Sequence, residues 1–405
     1  MNILVIAGFS AYPSYLGEKR QATTYAFHEV LKHYHAMNDV NIEVFRLRLR
    51  QFKLLNIFRR IRLYNTKNQC YYKNFIDGVH VHNFPVFKLP KIPVSKKVRN
   101  KVKDEIYKAL LNVAYLPDII ICISTEITKD IAEYLKELYD CPIILCLRNC
   151  DVLNRKLYDI SFNSVDYFSF RSERIKDIFT KYYNRNFMYS VDSFGIDEKF
   201  IDSVEENNIP NQRSKLHILS AGSLIPLKNF DILIRAIAGS LDYVATLDIY
   251  GEGPERKRLQ RLIDANHLSN VVTLHSECPK AQVLDEMKAK PVFALLSAPE
   301  TLGLVYLEAL AKGCIVIGTK GEGIDGIIVD HENGFLCEAN NVDMLKSIIR
   351  KIYYFSAEEK RIIMENAIST AQQHTNQFYL KKYIKNCESV IESYKAKKAA
   401  KITGN

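Results

Sequence analysis

Tryptophan is absent from this chain of 405 residues, and so are a C-x-x-C pair and a D-x-D string. Long apolar runs are missing too. The longest, such as Ile119–Ile123 and Val292–Leu296, have the length of buried strands, well short of the roughly 18 residues that a membrane-spanning helix needs. The opening residues, Met1-Asn2-Ile3-Leu4-Val5-Ile6-Ala7-Gly8, carry neither the basic region nor the cleavage site of a signal peptide and read as a first strand. The nine cysteines are odd in number and scattered. Cys141, Cys146 and Cys150 are the densest group. They sit on an apolar stretch without a nearby histidine and read as reduced thiols in or near the core, not as metal ligands. The 47% hydrophobic and 25% charged residues are ordinary for a folded protein and exclude collagen, coiled coil and disorder for the chain as a whole. The length suggests two or three domains.

The charge is uneven. From Arg46 to Lys103 there are 16 Lys and Arg against one acid, Asp77, a net +15; the whole chain carries +10, which leaves −5 on the remainder. One basic region on a near-neutral body argues for a local anionic partner and against uniform coating of nucleic acid. No nucleic-acid-binding motif accompanies it.

Strand-like and helix-like segments alternate along the first half: Met1–Gly8, Tyr25–Tyr34, Asn41–Leu49, Val79–His82, Ile119–Ser124, Thr128–Tyr139, Pro142–Leu147 and Ser172–Tyr182. In Asn41–Leu49, Phe45, Leu47 and Leu49 oppose Arg46, Arg48 and Arg50. A polar, proline-containing stretch follows, Glu205-Glu206-Asn207-Asn208-Ile209-Pro210-Asn211-Gln212, as a linker would. The alternation then restarts with Leu216–Ala221, Asn229–Gly239, Ala245–Tyr250, Glu255–Ala265, Val271–Leu274, Val292–Leu296 and Cys314–Gly318. This pattern predicts an α/β protein of two Rossmann-like domains, 1–205 and 212–375, facing a central cleft. The helix expected over 376–398 is a candidate to pack back on the first domain.

Three strings could carry chemistry. In the first, Glu300-Thr301-Leu302-Gly303 joins a buried strand to a helix over Val305–Lys312. Free amides at such a helix start favour phosphate, and Gly303 lets the backbone come close to it. Glu300 stands before the helix and Glu308 about one and a half turns inside it. Two carboxylates beside a diphosphate would repel it, so they need different partners, and carboxylates accept hydrogen bonds well from sugar hydroxyls. The second string, Gly222-Ser223-Leu224-Ile225-Pro226-Leu227-Lys228, is a turn that ends in an ammonium at a helix start. The third, Gly8–Glu18, is a long loop with Gly8 and Gly17 near its ends; it is not G-x-G-x-x-G and does not support a nicotinamide dinucleotide. Gly251-x-Gly253 reads as a turn.

Five stretches in order carry a resemblance: the Gly222…Lys228 loop, Tyr250-Gly251-Glu252-Gly253-Pro254, Asn270-Val271-Val272-Thr273-Leu274, Glu300-x7-Glu308 and Glu332-Asn333-Gly334-Phe335-Leu336. Together they resemble retaining glycosyltransferases of family four, which have the GT-B fold. The match is dense over about 215–340 and thinner in the first half, at Gly17 and Ser193-Phe194-Gly195-Ile196-Asp197. The resemblance implies a UDP- or GDP-linked sugar as donor substrate, no cofactor and no metal. It implies that Glu308 binds ribose hydroxyls, that Glu300 contacts the donor sugar near the reacting carbon, and that amides around Leu302, Gly303 and Leu304 hold sugar and diphosphate. Lys228 would neutralise the leaving diphosphate, and Gly17 would let the first loop approach it. Fixed donors of this kind lower a barrier at which charge develops on the leaving phosphate. Two positions depart from the family pattern. Ser223 stands where arginine is usual, which shifts phosphate binding onto Lys228. Arg148-Asn149-Cys150-Asp151 stands where His-Gly-x-Asp is usual, so that Arg148, with Asp151, becomes a candidate for an anionic acceptor.

The basic region falls in the half that binds acceptors in this family. Gln51–Tyr64 can form a helix in which Leu54, Ile57, Phe58 and Ile61 share a stripe bordered by Lys53, Arg59, Arg60 and Arg62. Such helices lie in membrane interfaces, and each cation near an anionic surface adds about 1 kcal/mol. Phe84, Phe87 and Tyr71-Tyr72 are candidates to enter the headgroup layer. The expectation is a cytoplasmic glycosyltransferase, peripheral on the membrane, acting on a lipid-linked or growing surface-glycan acceptor. The alternatives are a soluble or protein acceptor, or a non-catalytic subunit of a glycosylation complex.

Overall fold

The computed structural model describes residues 1–8, 39–50, 71–76, 78–87, 94–123, 127–154, 161–183 and 185–402. The chain divides into two compact units. The first comprises Met1–Arg171, Ile175–Phe194 and Leu380–Asn405; the second comprises Ser172–Arg174 and Gly195–Tyr379.

The described residues of the first unit form eight strands: β1 (Asn2–Ala7), β2 (Asn41–Arg50), β3 (Tyr72–Ile76), β4 (Val79–Phe87), β5 (Ile119–Ile123), β6 (Ile143–Leu147), β7 (Tyr167–Phe170) and β8 (Tyr189–Val191). Their order is β3-β4-β2-β1-β5-β6-β7-β8. All pairings are parallel except β3 with β4, an antiparallel edge. The described helices are α1 (Lys96–Asn112), α2 (Thr128–Tyr139), the single turn α3 (Asn149–Val152) and α4 (Glu173–Tyr182). β5 and β6 are apolar and buried along their whole length, as strands of a parallel sheet covered on both faces must be.

β2 runs between β1 and β4, and its Arg46 is buried. One expectation fails here for that same reason. Phe84 cannot enter a headgroup layer, because it is fully buried against Phe45 and Tyr71.

The second unit has six strands, all parallel: β9 (Leu216–Ala221), β10 (Val244–Tyr250), β11 (Val272–His275), β12 (Val292–Ala294), β13 (Ile315–Thr319) and β14 (Phe335–Cys337). The order is β11-β10-β9-β12-β13-β14, the doubly wound arrangement in which the chain reverses direction across the sheet between β9 and β12. Its helices are α5 (Phe230–Ala238), α6 (Arg256–Ala265), α7 (Lys280–Ala289), α8 (Leu304–Ala311), α9 (Val342–Tyr354) and α10 (Ala357–Gln372).

Residues 195–205, placed before the expected boundary at 205, belong to the second unit in this division. Ile196 pairs with Thr375 there, and Lys312 Nζ binds Asp202 Oδ2 at 3.0 Å. The long α11 (Asn376–Ile402) is divided after Tyr379. From Leu380 on, its Leu380, Tyr383, Ile384, Cys387 and Val390 share a core with Ile3, Val5 and Ile121 of the first sheet.

Cys141 and Cys146 are buried free thiols, and burial pushes Cys141 up to about 12. No described helix is long and apolar enough to cross a membrane, and no group of three His, Cys, Asp or Glu among the described residues could hold a metal ion.

Candidate active site at the switch point of the second sheet

In a doubly wound sheet the loops that leave adjacent strands on opposite sides of the reversal open a crevice at the carboxyl ends of those strands. Here those loops follow β9 and β12. The first runs through Gly222 and a short turn, Pro226–Lys228, to Asn229, whose left-handed φ of 49° leads into α5. The second runs from Leu295 to Gly303, which starts α8 with a φ of 77° and no side-chain cap. A side chain at Gly303 would be strained by that angle and would also strike the ring of Tyr306, 2.5 Å from an added Cβ. Glycine is therefore required for the helix to begin here with its first amides open.

The two loops are stitched together. Asn229 Nδ2 donates to Leu296 O at 2.7 Å, and Ala298 N donates to Leu227 O at 2.8 Å. These bonds set Lys228 Nζ 2.6 Å from Glu300 Oε2. Glu300 also accepts from Ser297 Oγ at 2.9 Å and from Thr301 N at 3.0 Å. Burial alone would raise its pKa. The Lys228 ammonium, the Ser297 hydroxyl and the Thr301 amide together outweigh burial and hold the carboxyl below its usual range. Glu300 is thus a fixed anion with its orientation set from three sides.

Glu308 has a different partner. α8 is apolar around most of its circumference, with Tyr306, Leu307, Ala309, Leu310 and Ala311 buried, and Glu308 is its one charged residue. Lys280 Nζ, from α7, lies 2.6 Å from Glu308 Oε1, and the same ammonium lies over the ring of Phe200 at 4.6 Å. Each of the two carboxylates thus pairs with a lysine of its own.

The glycines read as a turn, Gly251 and Gly253, have a sharper role. A Cβ on Gly251 would lie 2.0 Å from Gly222 O, and one on Gly253 would lie 2.3 Å from Leu224 O. Gly222 N donates to Tyr250 O at 3.0 Å and Leu224 N to Glu252 O at 2.9 Å. The loop after β10 therefore lies directly against the loop after β9 and fixes its path. Asn333 is likewise a support: its side chain accepts from Val329 N at 2.8 Å and donates to Ile327 O at 3.0 Å and Thr370 Oγ1 at 2.8 Å.

With this geometry in place, the comparisons are specific. Residues 203–370 match the family described as "Glycosyl transferases group 1". The peptide N-acetylglucosaminyltransferase GtfA subunit of Limosilactobacillus reuteri, which uses UDP-N-acetylglucosamine by its name, is 34% identical over 127 residues, 31% of this chain and 24% of that protein. The chain matches between 24% and 48% of the length of the first curated relatives. Among solved structures, sucrose-phosphate synthase from Thermosynechococcus elongatus superposes with a TM-score of 0.73 at 15% identity, over 97% of this chain and 99% of the other. HepE from Anabaena, solved in complex with UDP, superposes with a TM-score of 0.70 at 18% identity, over 96% and 100%. The fold is GT-B.

Of the residues expected to form the GT-B donor site, Lys228, Glu300, Leu302, Gly303, Leu304, Glu308, Gly222 and Ser223 all lie on the second unit, most of them on the two loops or α8. Leu302 is buried, Gly303 and Leu304 are half-buried, and Ser223 is exposed. In the first unit, Arg148 and Asp151 bind each other at the end of β6: Asp151 Oδ2 accepts from Arg148 N at 3.0 Å and from Arg148 Nε at 3.1 Å. Gly17, Lys53, Arg59, Arg60 and Arg62 lie outside the described residues, as do the helices expected over Tyr25–Tyr34 and Gln51–Tyr64.

Four contributors escaped the sequence reading: Ser297 and Asn229, which hold Glu300 and its loop; Lys280, the partner of Glu308; and Glu322, whose carboxylate accepts from Glu300 N at 2.7 Å. Only Glu322 left a trace in the sequence, since Gly321-Glu322-Gly323-Ile324-Asp325-Gly326 spells G-x-G-x-x-G after a strand. No helix opens there, so the dinucleotide fingerprint is not met.

Proposed function

We propose that this protein is a retaining glycosyltransferase of family four that moves a sugar from a nucleotide diphosphate sugar to a lipid-linked or growing surface-glycan acceptor. The observation that carries the reading is the Lys228–Glu300 pair at 2.6 Å beside the uncapped start of α8. An ammonium and open amides at one point suit a diphosphate, and a fixed carboxylate next to them suits sugar hydroxyls. In this reading Lys228 and the amides around Leu302, Gly303 and Leu304 stabilise the leaving diphosphate, Glu300 orients the donor sugar, and Glu308 of the E-x7-E motif binds ribose. Leaving-group charge is met by these fixed donors, so the reaction is proposed to proceed without a metal or cofactor. The UDP complex of HepE favours a UDP-linked donor. Arg148 serves an anionic acceptor, and the basic region, with Lys53, Arg59, Arg60 and Arg62, holds the protein on the cytoplasmic face of an anionic membrane.

The decisive experiment is nucleotide release by the purified chain against a panel of UDP-, GDP- and other activated sugars. Release from one donor class supports the reading; no release from any of them, with added acceptor extracts, defeats it. A second reading has its own support in the GtfA relative, whose printed activity is on peptide: a protein or soluble acceptor. Flotation with anionic liposomes at moderate salt separates the two, since a chain that stays unbound favours the soluble acceptor.

A further inference from the structure

The loop that follows β13 touches the same segment that carries Glu300. Three contacts define it. Glu322 Oε2 accepts from Glu300 N at 2.7 Å. Gly323 N donates to Glu300 O at 3.3 Å. A Cβ on Gly323 would lie 1.9 Å from Thr301 O, so the two backbones are in direct contact. The loop is itself braced: Glu322 N donates to Thr319 O at 3.3 Å, Asp325 N to Glu322 O at 2.9 Å, and Gly321 N to Asp325 Oδ2 at 2.6 Å.

The side chain and the backbone of Glu300 are thus held by different parts of the fold. Lys228, Ser297 and the Thr301 amide hold its carboxylate. Glu322 and Gly323 hold its amide and its carbonyl, both from the loop that follows β13, the strand next to β12 in the sheet. The Glu322 side chain is only 11% exposed, and its Oε2 also receives Arg174 Nε at 3.1 Å. A buried carboxylate near a second carboxylate is costly to keep. Its position against the Glu300 amide gives that cost a use.

We propose that Glu322 is a positioning residue for the transfer reaction: it anchors the peptide of Glu300 so that the Glu300 carboxylate meets the donor sugar in one orientation. The proposal rests on the functional reading above. Glu322 does not touch the reacting atoms; it acts through Glu300. Losing the anchor leaves the Glu300 peptide free to shift, and a misplacement of about 1 Å at a reacting centre can cost about a hundredfold in rate.

The test uses Glu322→Ala and Glu322→Gln in the full chain. The expected result for E322A is a kcat lower by about tenfold to a hundredfold, with the KM for the donor changed by less than about threefold, since the diphosphate contacts stay in place. E322Q keeps an oxygen that accepts from the Glu300 amide, and is expected to recover most of the lost kcat. Amide hydrogen exchange provides a readout that needs no activity: the peptide containing Glu300 should exchange faster in E322A and near the wild-type rate in E322Q. An E322A protein with wild-type kcat below its melting temperature overturns the proposal, as does an E322Q protein as slow as E322A. If E322A does not fold, E322Q against Gly323→Ala decides. G323A pushes the loop off Thr301 and should slow kcat while E322Q does not; equal rates in both overturn the proposal. Should the wild type release no nucleotide at all, the functional reading fails, and the exchange measurement still judges the anchor.

Discussion

The two sheets share a winding and differ in what they place at its reversal. In the first, β1 lies between β2 and β5, and in the second, β9 lies between β10 and β12, so both have a switch point of the same kind. In the second unit that point is filled by charge in fixed geometry: Lys228 on Glu300, Glu322 on the Glu300 amide, and two loops bonded to each other at 2.7 and 2.8 Å. In the first unit one buried charged cluster sits at the strand starts. Glu43, near the start of β2, takes His82 Nε2 at 2.6 Å and His80 Nδ1 at 2.9 Å, and His82 Nδ1 meets Tyr71 Oη at 2.7 Å. Residues at strand starts lie away from the ligand-binding end of such a sheet. Among the described residues, the second unit thus places the ion pairs of the proposed site at its strand ends, while the first also holds a buried ion-paired cluster at its strand starts, suited to stability.

That division predicts opposite responses to mutation. Glu300→Gln and Lys228→Ala should each lower kcat by about a hundredfold to a thousandfold, the range for removing one fixed group that meets developing charge. Their melting temperatures should fall modestly, more for K228A than for E300Q, because K228A leaves the Glu300 carboxylate without its ammonium. Because the two side chains act as one unit, the double mutant should be scarcely slower than either single mutant. Steady-state kinetics on the three proteins checks this; additive losses would mean that the pair does not act together.

Glu43→Ala should do the reverse. It leaves fully buried His82 without its acceptor, at a cost of about 1–3 kcal/mol, while kcat at a temperature below the transition stays near the wild-type value. Urea unfolding monitored alongside activity tests it, and a variant with lost activity and unchanged stability would erase the contrast between the two regions.

How much of this was legible beforehand follows from what each feature depends on. Apolar strands such as β5 and β13 announce themselves, because a strand covered on both faces has to be apolar throughout. The Glu300-x7-Glu308 string was legible because one helix start fixes the spacing of both carboxylates. Their partners were not. Lys228 is 72 residues away from Glu300 in the chain, and only the order of strands in the sheet brings the two together. Lys280 comes from the start of α7 and Glu322 from the loop after β13. Long-range order also decides burial on β2 and β4, both interior strands of the first sheet. Phe84, on β4, was misread as a surface anchor on the same ground.

A smaller effect concerns pH. The folded-state pKa of Glu300 lies below its ordinary value. A carboxylate of this kind contributes stability that is present above the unfolded pKa, about 4.3, and is lost as pH falls through the folded one. The stability difference between the wild type and E300Q should accordingly shrink as pH falls from 7 to below about 4. Urea midpoints at the two pH values measure it, and a difference that grows in acid would contradict the direction assigned to Glu300.

The smallest effect tests whether the second carboxylate is held as firmly as the first. Lys280 is 52% exposed and Glu308 13%, whereas Lys228 and Glu300 are 20% and 16% exposed. An ion pair with one partner in water is worth about 1 kcal/mol at most. Lys280→Met should thus leave stability almost unchanged and weaken nucleotide binding by no more than about fivefold, through a Glu308 carboxylate that is less well oriented. Titration calorimetry with UDP on wild type and K280M gives the number. A much larger loss would place Lys280 in direct contact with the nucleotide, and the site would then contain two lysines with equal claims on the diphosphate.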